Sequence, residues 1–332
     1  MAPSAQQLSK TICKLIILLV LTKYVRCNSK IKKKDSDVRI LGKSHDHRED
    51  FRYPLPEITV DKSDFTMLVA GGYRPSRIVL SKYIVSIRTS RATFYFGDNH
   101  FCVGVIISEQ LVLTAAHCVV DRRRIVTRPH RLLVVAGAPN RLLKTYRTVE
   151  RKVIAVIPHD KYVRKGLHDI AILRLKTRLP DDNQNIKIIS LIDEIPKAGT
   201  NCQLVGWGQI FFRGPYTAVA VQANLTVISG EDCKRFYTHK YDESLICAGH
   251  ATEWDIDACR GDSGGPLICN GVVAGIVSWS SHCGEKGKPT IFTSIYHHRI
   301  WINFASEGSS LNDISFINLL LFVLVTDWVV VN

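Results

Sequence analysis

The stretch Gly261-Asp262-Ser263-Gly264-Gly265-Pro266 decides how this chain is interpreted. A serine hydroxyl is a poor nucleophile at neutral pH, so it needs a base for its proton and backbone N–H donors aimed at the developing oxyanion. Gly261 can adopt backbone angles closed to other residues, so its N–H and that of Ser263 can point at one position. The stretch therefore predicts a nucleophile loop, against the alternative of a glycine-rich turn with a surface serine.

Two further segments offer the partners that such a serine needs. Leu113-Thr114-Ala115-Ala116-His117-Cys118 places a histidine after a β-rich run, and His168-Asp169-Ile170-Ala171 places a carboxylate where an apolar strand opens. His117 would act as the general base, and Asp169 would hold its imidazole in the useful tautomer. Taken alone, each residue also fits a purely structural role: His117 as a buried histidine with its hydrogen bonds satisfied, and Asp169 as a turn residue at the start of a strand. The chain order His, Asp, Ser differs from the subtilisin-like and α/β-hydrolase orders.

With these motifs, the sequence resembles the chymotrypsin/trypsin family of serine proteases over roughly residues 69 to 305, and the trypsins in particular. The resemblance rests on Cys102 with His117-Cys118, His168-Asp169-Ile170-Ala171, Cys202 with Gly206-Trp207-Gly208, the Ser263 loop, Ile276-Val277-Ser278-Trp279 and Trp301-Ile302. It implies an all-β fold of two packed antiparallel β-barrels with a short C-terminal helix that ends near Ala305. Composition alone indicates only an all-β, disulfide-bonded domain.

The resemblance also implies a reaction, the hydrolysis of peptide bonds in protein substrates. Ser263 would attack the carbonyl, and His117 would carry the proton to the leaving amine. Asp169 would orient His117, while the N–H groups of Gly261 and Ser263 hold the oxyanion. This chemistry needs no metal and no cofactor.

Eight of the ten cysteines lie between residues 102 and 283. Spacing alone cannot give their connectivity, since eight cysteines allow 105 pairings. The family resemblance implies the pairs Cys102–Cys118, Cys202–Cys269, Cys233–Cys247 and Cys259–Cys283. Such bridges need an oxidising compartment. Metal binding is the alternative use, but the spacings lack paired Cys-x-x-Cys knuckles.

The N-terminal residues 1–27 are interpreted as a secretory signal peptide. The apolar run Leu15 to Leu21 is too short to span a bilayer. Cleavage after Cys27 would remove both Cys13 and Cys27 and leave a matched set of eight. An uncleaved anchor is the alternative, and it would leave Cys27 unpaired outside the cell.

Residues 28–68 are polar, with mixed charge, and are expected to form a flexible propeptide-like segment. In trypsin-like enzymes, cleavage after a basic residue frees an N-terminus whose amine pairs with the aspartate before the catalytic serine, here Asp262. The matching stretch is Val69-Ala70-Gly71-Gly72, but Leu68 precedes it instead of a basic residue. The chain is therefore expected to be a zymogen with an atypical activation site.

A locked, non-catalytic binding or regulatory protein is the competing class. Ser86 and His100 match residues that hold the corresponding aspartate in trypsin-like zymogens, and this match favours a stable inactive state. Leu68 before Val69 and the bulky Thr290 motivate the same alternative.

The specificity pocket is also atypical. Asp257 matches the carboxylate that gives trypsins their preference for Arg or Lys at the scissile bond, although a structural loop carboxylate is the alternative. Ser280 and Thr290 occupy wall positions where trypsins carry glycine. The stiff, β-branched Thr290 would either shorten the pocket or satisfy Asp257 itself. Ser278 and Trp279 match the segment that aligns substrate as an extra strand.

The chain is basic, with 44 Lys and Arg against 30 Asp and Glu, a net charge of +14 and a pI near 9.4. Ten of the basic residues stand between Arg122 and Lys152. This stretch predicts either a site for a polyanion or acidic protein partner, which a surface adhesion module would also use, or a merely solvated basic face. Nucleic acid is not expected, because interleaved aromatic residues are lacking.

The tail 306–332 contains the small residues Gly308-Ser309-Ser310 and an apolar run from Phe316 to Val331. This resembles a GPI-attachment signal, with a transmembrane tail and an unanchored tail as alternatives. Asn224-Leu225-Thr226 is an N-glycosylation sequon. The domain over 69–305 is therefore expected outside the cell, secreted or tethered to the surface.

Overall fold

Runs rich in Val, Ile and Leu form most strands of this protein, and Gly, Pro or Asn ends or follows several of them. The computed structural model describes residues 79–250, 256–281, 283–285 and 288–307. The predicted signal peptide, the propeptide-like segment, Val69 and the tail from residue 308 lie outside the described residues.

The first six strands close into an antiparallel barrel in the order β1-β2-β3-β6-β5-β4. These strands are β1 (Ile84–Thr89), β2 (His100–Ile106), β3 (Leu111–Thr114), β4 (Leu132–Ala136), β5 (Val149–Pro158) and β6 (Ala171–Leu175). β3 and β6 are neighbours, with Thr114 opposite Ala171. The chain that leaves β3 and the chain that enters β6 are therefore adjacent.

The next six strands close into a second antiparallel barrel in the order β10-β11-β12-β9-β8-β7. They are β7 (Asn201–Gly206), β8 (Val221–Ile228), β9 (Leu245–Gly249), β10 (Pro266–Cys269), β11 (Val272–Trp279) and β12 (Thr290–Ser294). The predicted all-β fold of two barrels is confirmed.

Two α-helices complete the described part of the chain: α1 (Gly230–Tyr237) and α2 (Ile295–Glu307). α2 is the predicted C-terminal helix and extends two residues past Ala305. α1 begins after Ser229, whose hydroxyl oxygen accepts the N–H of Asp232 at 3.1 Å. The sequence analysis did not predict α1. Single 3-10 turns cover Val79–Tyr83, Ala116–Cys118, Pro129–Arg131 and Thr238–Lys240.

The core explains why several strands have continuous apolar runs instead of alternating ones. In β1, Val85 and Ile87 belong to the core cluster of the first barrel, while Ile84 belongs to a second cluster that also contains second-barrel residues such as Leu204 and Leu267. Strands buried on both faces need apolar residues at successive positions. The two barrels therefore share a common core, and loops at their junction are held between them.

The four disulfides are Cys102–Cys118, Cys202–Cys269, Cys233–Cys247 and Cys259–Cys283. These are the pairs that the family resemblance implied. Cys202–Cys269 joins β7 to β10, and Cys259–Cys283 closes the segment that carries Ser263. No helix among the described residues is long and apolar enough to cross a membrane.

Candidate active site

His117 and Asp169 form a hydrogen-bonded pair at the end of the first barrel. His117 follows β3 and Asp169 precedes β6, so the pairing of these strands brings the two residues together. The Nδ1 atom of His117 lies 2.7 Å from Oδ2 of Asp169, and the backbone N–H of His117 donates to Oδ1 at 2.8 Å. Because Nδ1 is held by the carboxylate, Nε2 is left as the nitrogen that can accept a proton.

The second barrel holds Asp169 in place. Asp169 is 1% exposed. The hydroxyl of Ser278 in β11 donates to Oδ2 at 2.6 Å, and the hydroxyl of Thr293 in β12 donates to the backbone carbonyl of Asp169 at 2.9 Å. Ser278 was predicted to align substrate; its hydrogen bond to the carboxylate is an addition, and Thr293 was not predicted at all.

Two opposing effects act on the pKa of His117. Burial lowers this pKa, but the charge of Asp169 and its hydrogen bond to the ring raise it by more, so the pKa of His117 lies above its ordinary value. The charged imidazolium is therefore stabilised at the moment when it would hold a proton taken from a nucleophile.

Ser263 lies on a turn that precedes β10 of the second barrel. This turn is also hydrogen-bonded to β2 of the first barrel. The carbonyl oxygen of Ser263 accepts the N–H of Val103 in β2 at 2.8 Å, while the N–H of Gly264 donates to Val277 in β11 at 2.9 Å. The Sγ atom of Cys118 is 3.8 Å from the same carbonyl oxygen. The serine is thus held beside the residue that follows His117.

The peptide groups around Ser263 have the features of an oxyanion site. Gly261 has a φ of +99°, and a Cβ atom there would lie 2.6 Å from the ring of Tyr216. Within the described part of the chain, the N–H groups of Gly261 and Ser263 donate to no acceptor. His100 fixes this peptide, because its Nε2 lies 3.1 Å from the Gly261 carbonyl and its Nδ1 lies 2.9 Å from the Ser86 hydroxyl.

Asp262 is buried in a cradle made by two glycines. Its oxygens accept the N–H of Gly208 at 2.8 Å and of Cys259 at 3.1 Å. A Cβ atom at Gly206 or Gly208 would lie 2.1 Å from a carboxylate oxygen, so any side chain would fill the space. Burial raises the pKa of Asp262 to about 6 although these N–H groups lower it. His100 does not contact Asp262 here, so the zymogen contact suggested by the sequence is not formed.

The carboxylate of Asp257 is buried, and other groups of the protein donate hydrogen bonds to both of its oxygens. It is 2% exposed and accepts a hydrogen bond from the hydroxyl of Thr290. The N–H of Ala258 donates to the same oxygen at 2.8 Å, and the N–H of Gly284 donates to the other at 3.2 Å. Burial raises the pKa of Asp257 to about 7, against the lowering effect of these hydrogen bonds. Of the two roles expected for Thr290, the structure has the second, in which it satisfies Asp257.

A cavity of about 340 Å³ opens next to Ser263. Its lining includes Ser263, Ser278, Trp279, Ser280 and Thr290, all of them predicted site residues. Asp257 is not among the described lining residues, whereas Thr290, which donates a hydrogen bond to it, is. The sequence analysis missed Lys165 and Phe212, which also line the cavity.

A buried pair of arginines near the site was also missed. Arg88 is 1% exposed and donates to the Ser86 hydroxyl at 2.9 Å and to the Arg141 carbonyl at 2.8 Å. Arg141 donates to the carbonyls of Thr217 at 2.7 Å and Gly97 at 2.6 Å. Burial lowers the pKa of Arg88 to about 10. Three loops beside the site are therefore joined through guanidinium groups.

The basic residues between Arg122 and Lys152 do not form one surface, because some are exposed and Arg141 is buried. Arg141 belongs to the interior and not to a basic surface. Arg122, Arg123 and Arg124 are exposed, at the tip of a loop in which the N–H of Asp121 donates to the carbonyl of Ile125 at 3.0 Å. The predicted sequon residue Asn224 is exposed in β8.

His117 and Asp169 come from the first barrel, and the Ser263 loop comes from the second. This division of a Ser, His and Asp set between two β-barrels characterises one class of serine hydrolase, the double-barrel class. The fold and the site geometry together define this class.

Comparison with known proteins identifies the family. The trypsin family model matches residues 71–302, and the chain belongs to the trypsin family of serine endopeptidases. Human "Serine protease 1" is 34% identical over 213 residues, which cover 64% of this chain and 82% of that protein. Human "Trypsin-3" is 34% identical over 244 residues, or 73% and 74% of the two chains.

A solved structure shows the same likeness. It is that of neuropsin, a serine protease expressed in the limbic system of mouse brain, with a TM-score of 0.57 and 28% sequence identity. The match covers 68% of this chain and 95% of the neuropsin chain.

Proposed function

We propose that this protein is an extracellular trypsin-like endopeptidase, made as a zymogen, that hydrolyses peptide bonds with Ser263, His117 and Asp169. The observation that carries the proposal is the His117–Asp169 pair at 2.7 Å on one barrel, together with the Ser263 loop of the other barrel, whose Ser263 carbonyl oxygen lies 3.8 Å from Sγ of Cys118. The N–H groups of Gly261 and Ser263 have no acceptor among the described residues.

Each residue has a defined role in this mechanism. The Ser263 hydroxyl oxygen bonds to the substrate carbonyl carbon while its proton passes to Nε2 of His117. The carbonyl oxygen becomes an oxyanion, which accepts hydrogen bonds from the N–H groups of Gly261 and Ser263. His117 then gives its proton to the leaving amine, and the C–N bond breaks to leave an acyl-serine. Water activated by His117 cleaves the ester and restores Ser263.

The substrate preference that we propose is for Arg or Lys before the scissile bond, weakened by Thr290. A basic side chain in the cavity would need to displace the Thr290 hydroxyl or reach past it to pair with Asp257. Since the pKa of Asp257 is raised to about 7, the carboxyl is partly protonated at neutral pH and attracts a cation less strongly.

Activation is proposed to follow cleavage between Leu68 and Val69. Asp262 is a fully buried carboxyl, and no basic side chain in the described part of the chain pairs with it. A buried unpaired carboxylate is costly, so its charged form calls for a cation. The new amine of Val69 would be that cation and would hold the Ser263 loop in its reactive form.

We expect activity to depend on this cleavage. A full-length protein carrying a specific protease site that ends at Leu68 is expected to react with a fluorophosphonate at least about tenfold faster after cleavage than before. Asp262→Asn, which keeps the shape of the side chain but not its charge, is expected to lose the increase. The measurement is the rate of covalent labelling, with Ser263→Ala as the control.

Two results would contradict this expectation. Equal labelling before and after cleavage would remove the zymogen switch. No labelling in either form, with circular dichroism showing a folded protein, would favour the alternative function, a locked binding or regulatory protein. The observation that favours this alternative is the closed contact between Thr290 and Asp257.

The location is proposed to be outside the cell, because four disulfides require an oxidising compartment. An exposed Asn224 agrees with passage through the secretory route. Residues 1–27 as a signal peptide and the tail 306–332 as a GPI signal or other membrane tether remain part of this proposal.

A polyanion partner is proposed for the exposed arginines of the Arg122–Lys152 stretch. On a heparin column, the Ser263→Ala protein is expected to elute about 0.1 M NaCl or more later than the same protein with Arg122, Arg123 and Arg124 changed to Ala. A matched control removes three charges elsewhere, with Lys176, Lys187 and Lys197, all exposed, changed to Ala. Equal shifts in both triple variants would indicate a merely solvated basic face and an effect of net charge alone.

A further inference from the structure

Three histidines that take no part in the proposed reaction lie together behind Asp169. His159 follows β5, His168 directly precedes Asp169, and His298 lies in α2. His159 is 8% exposed, His298 is 3% exposed, and His168 is partly exposed. We call these three residues the histidine cluster.

The ring nitrogens of the cluster converge. Nδ1 of His168 is 3.0 Å from Nε2 of His298, and each histidine offers one ring nitrogen within 4.8 Å of those of the other two. The rings of His159 and His168 stack with their centroids 4.5 Å apart. Two nitrogens bound to one tetrahedral zinc ion at 2.0 to 2.1 Å would lie about 3.3 Å apart, close to the observed 3.0 Å.

Neighbouring groups orient two of the rings. Nδ1 of His298 donates to the carbonyl of Ser294 at 2.7 Å, which directs the lone pair of Nε2 towards His168. Nδ1 of His159 lies 3.3 Å from a carboxylate oxygen of Asp160. Metal-binding histidines commonly donate their second nitrogen to a backbone carbonyl or a carboxylate, as His298 does here. Burial disfavours the charged imidazolium of His159 and of His298, so the neutral, metal-binding form of these two rings is favoured.

Binding would require small rearrangements. The N–H of Lys161 donates to Nδ1 of His159 at 3.1 Å, which places the proton of this ring on Nε2 in the ion-free protein. To bind through Nε2, His159 would move this proton to Nδ1 and donate to Asp160 instead. In His168 the proton would move from Nδ1 to Nε2. Both rings stay neutral, and His159 would move inward by up to about 1.5 Å to reach bonding distance.

We propose that the histidine cluster binds one divalent transition-metal ion of the Zn²⁺ type, with water as the fourth ligand. Three imidazoles suit zinc and its neighbours and do not suit Mg²⁺ or Ca²⁺, which prefer oxygen. The site does not include Ser263 or His117, although His168 directly precedes Asp169. The sequence analysis expected no metal for the proposed reaction and did not single out these histidines, which are far apart along the chain.

The test uses the full-length protein with Ser263→Ala, which prevents self-digestion. Isothermal titration with Zn²⁺ is expected to show one ion per chain with a micromolar Kd, and Co²⁺ is expected to give the visible absorption of a four-coordinate site. At saturating Zn²⁺ the midpoint of thermal unfolding is expected to rise by about 5 °C or more.

Three variants decide whether the cluster is the site. His168→Asn keeps a residue type that tolerates the positive φ of 58° at this position, and His298→Gln removes a second ligand. Each is expected to weaken Zn²⁺ binding at least about 100-fold. His297→Gln, an exposed neighbour on α2, is the matched control and is expected to bind as before.

The proposal would be overturned by no binding at 1 mM Zn²⁺, or by one-to-one binding that survives both ligand substitutions. The first result would leave a hydrogen-bonded, stacked cluster that packs on Trp301, whose ring centroid is 5.0 Å from that of His159. The second would place the ion elsewhere. If His298→Gln does not fold, His168→Asn decides, because His168 is only partly buried.

Discussion

Ser263→Ala and His117→Ala are each expected to lower kcat for peptide hydrolysis by about 10⁶-fold, and Asp169→Asn by about 10⁴-fold. Without the serine there is no covalent intermediate, and without the histidine the serine proton has no acceptor. Asp169→Asn would keep the shape of the contact 2.7 Å from His117 but favour the wrong tautomer of the ring. The measurement is kcat on a fluorogenic peptide after activation at Val69.

The double variant is the sharper control. If the residues act as a unit, Ser263→Ala with His117→Ala costs about as much as either change alone. A multiplied loss would show that they act independently and would contradict the proposed roles. Ser281→Ala removes an exposed serine of the same cavity lining and is expected to leave kcat unchanged.

Asp257→Asn is expected to lower kcat/KM for an arginine substrate by about 100-fold or more, with little effect on a substrate with a neutral side chain at that position. Removing one partner of a buried charge pair leaves the other unpaired, which commonly costs about 2 to 5 kcal/mol. Comparing the two substrates as a ratio cancels effects on the triad, which both share.

The same ratio is expected to depend on pH. The pKa of Asp257 is raised to about 7, so its carboxyl is mostly protonated at pH 6 and mostly charged at pH 8. The preference for arginine should therefore increase as pH rises across this range. Thr290→Val keeps the bulk of the side chain but removes the hydroxyl that lowers the pKa of Asp257, so the increase should move to higher pH.

Thr290→Gly removes both the bulk and the hydroxyl of this side chain, so its comparison with Thr290→Val shows the effect of the bulk alone. It opens the cavity and frees Asp257, and we expect the arginine preference at pH 8 to increase about tenfold. An arginine preference that stays flat between pH 6 and 8, and that Asp257→Asn does not change, would show that Asp257 is a structural carboxyl.

Short sequence motifs were enough to predict which residues carry the chemistry of the proposed site. A nucleophile loop, a histidine and an aspartate are short motifs, and their residue types reflect requirements that act within a few residues, such as the positive φ of Gly261. The resemblance to trypsins then implied two barrels and four disulfide pairs, which the structure has. Spacing alone supports none of these pairings.

Other features depend on contacts between distant residues. Arg141 counts as part of a basic stretch in the sequence, yet it is buried because the carbonyls of Gly97 and Thr217 surround its guanidinium group. The histidine cluster arises only when α2 packs behind Asp169.

The sequence by itself determined the all-β class and the class of chemistry of the proposed site, since residue type and apolar patterning act locally. Only the tertiary structure decided that Thr290 satisfies Asp257 and that Ser278 and Thr293 hold Asp169. These contacts join residues from separate strands and loops, and their partners come within hydrogen-bonding distance only when both barrels have closed and packed together.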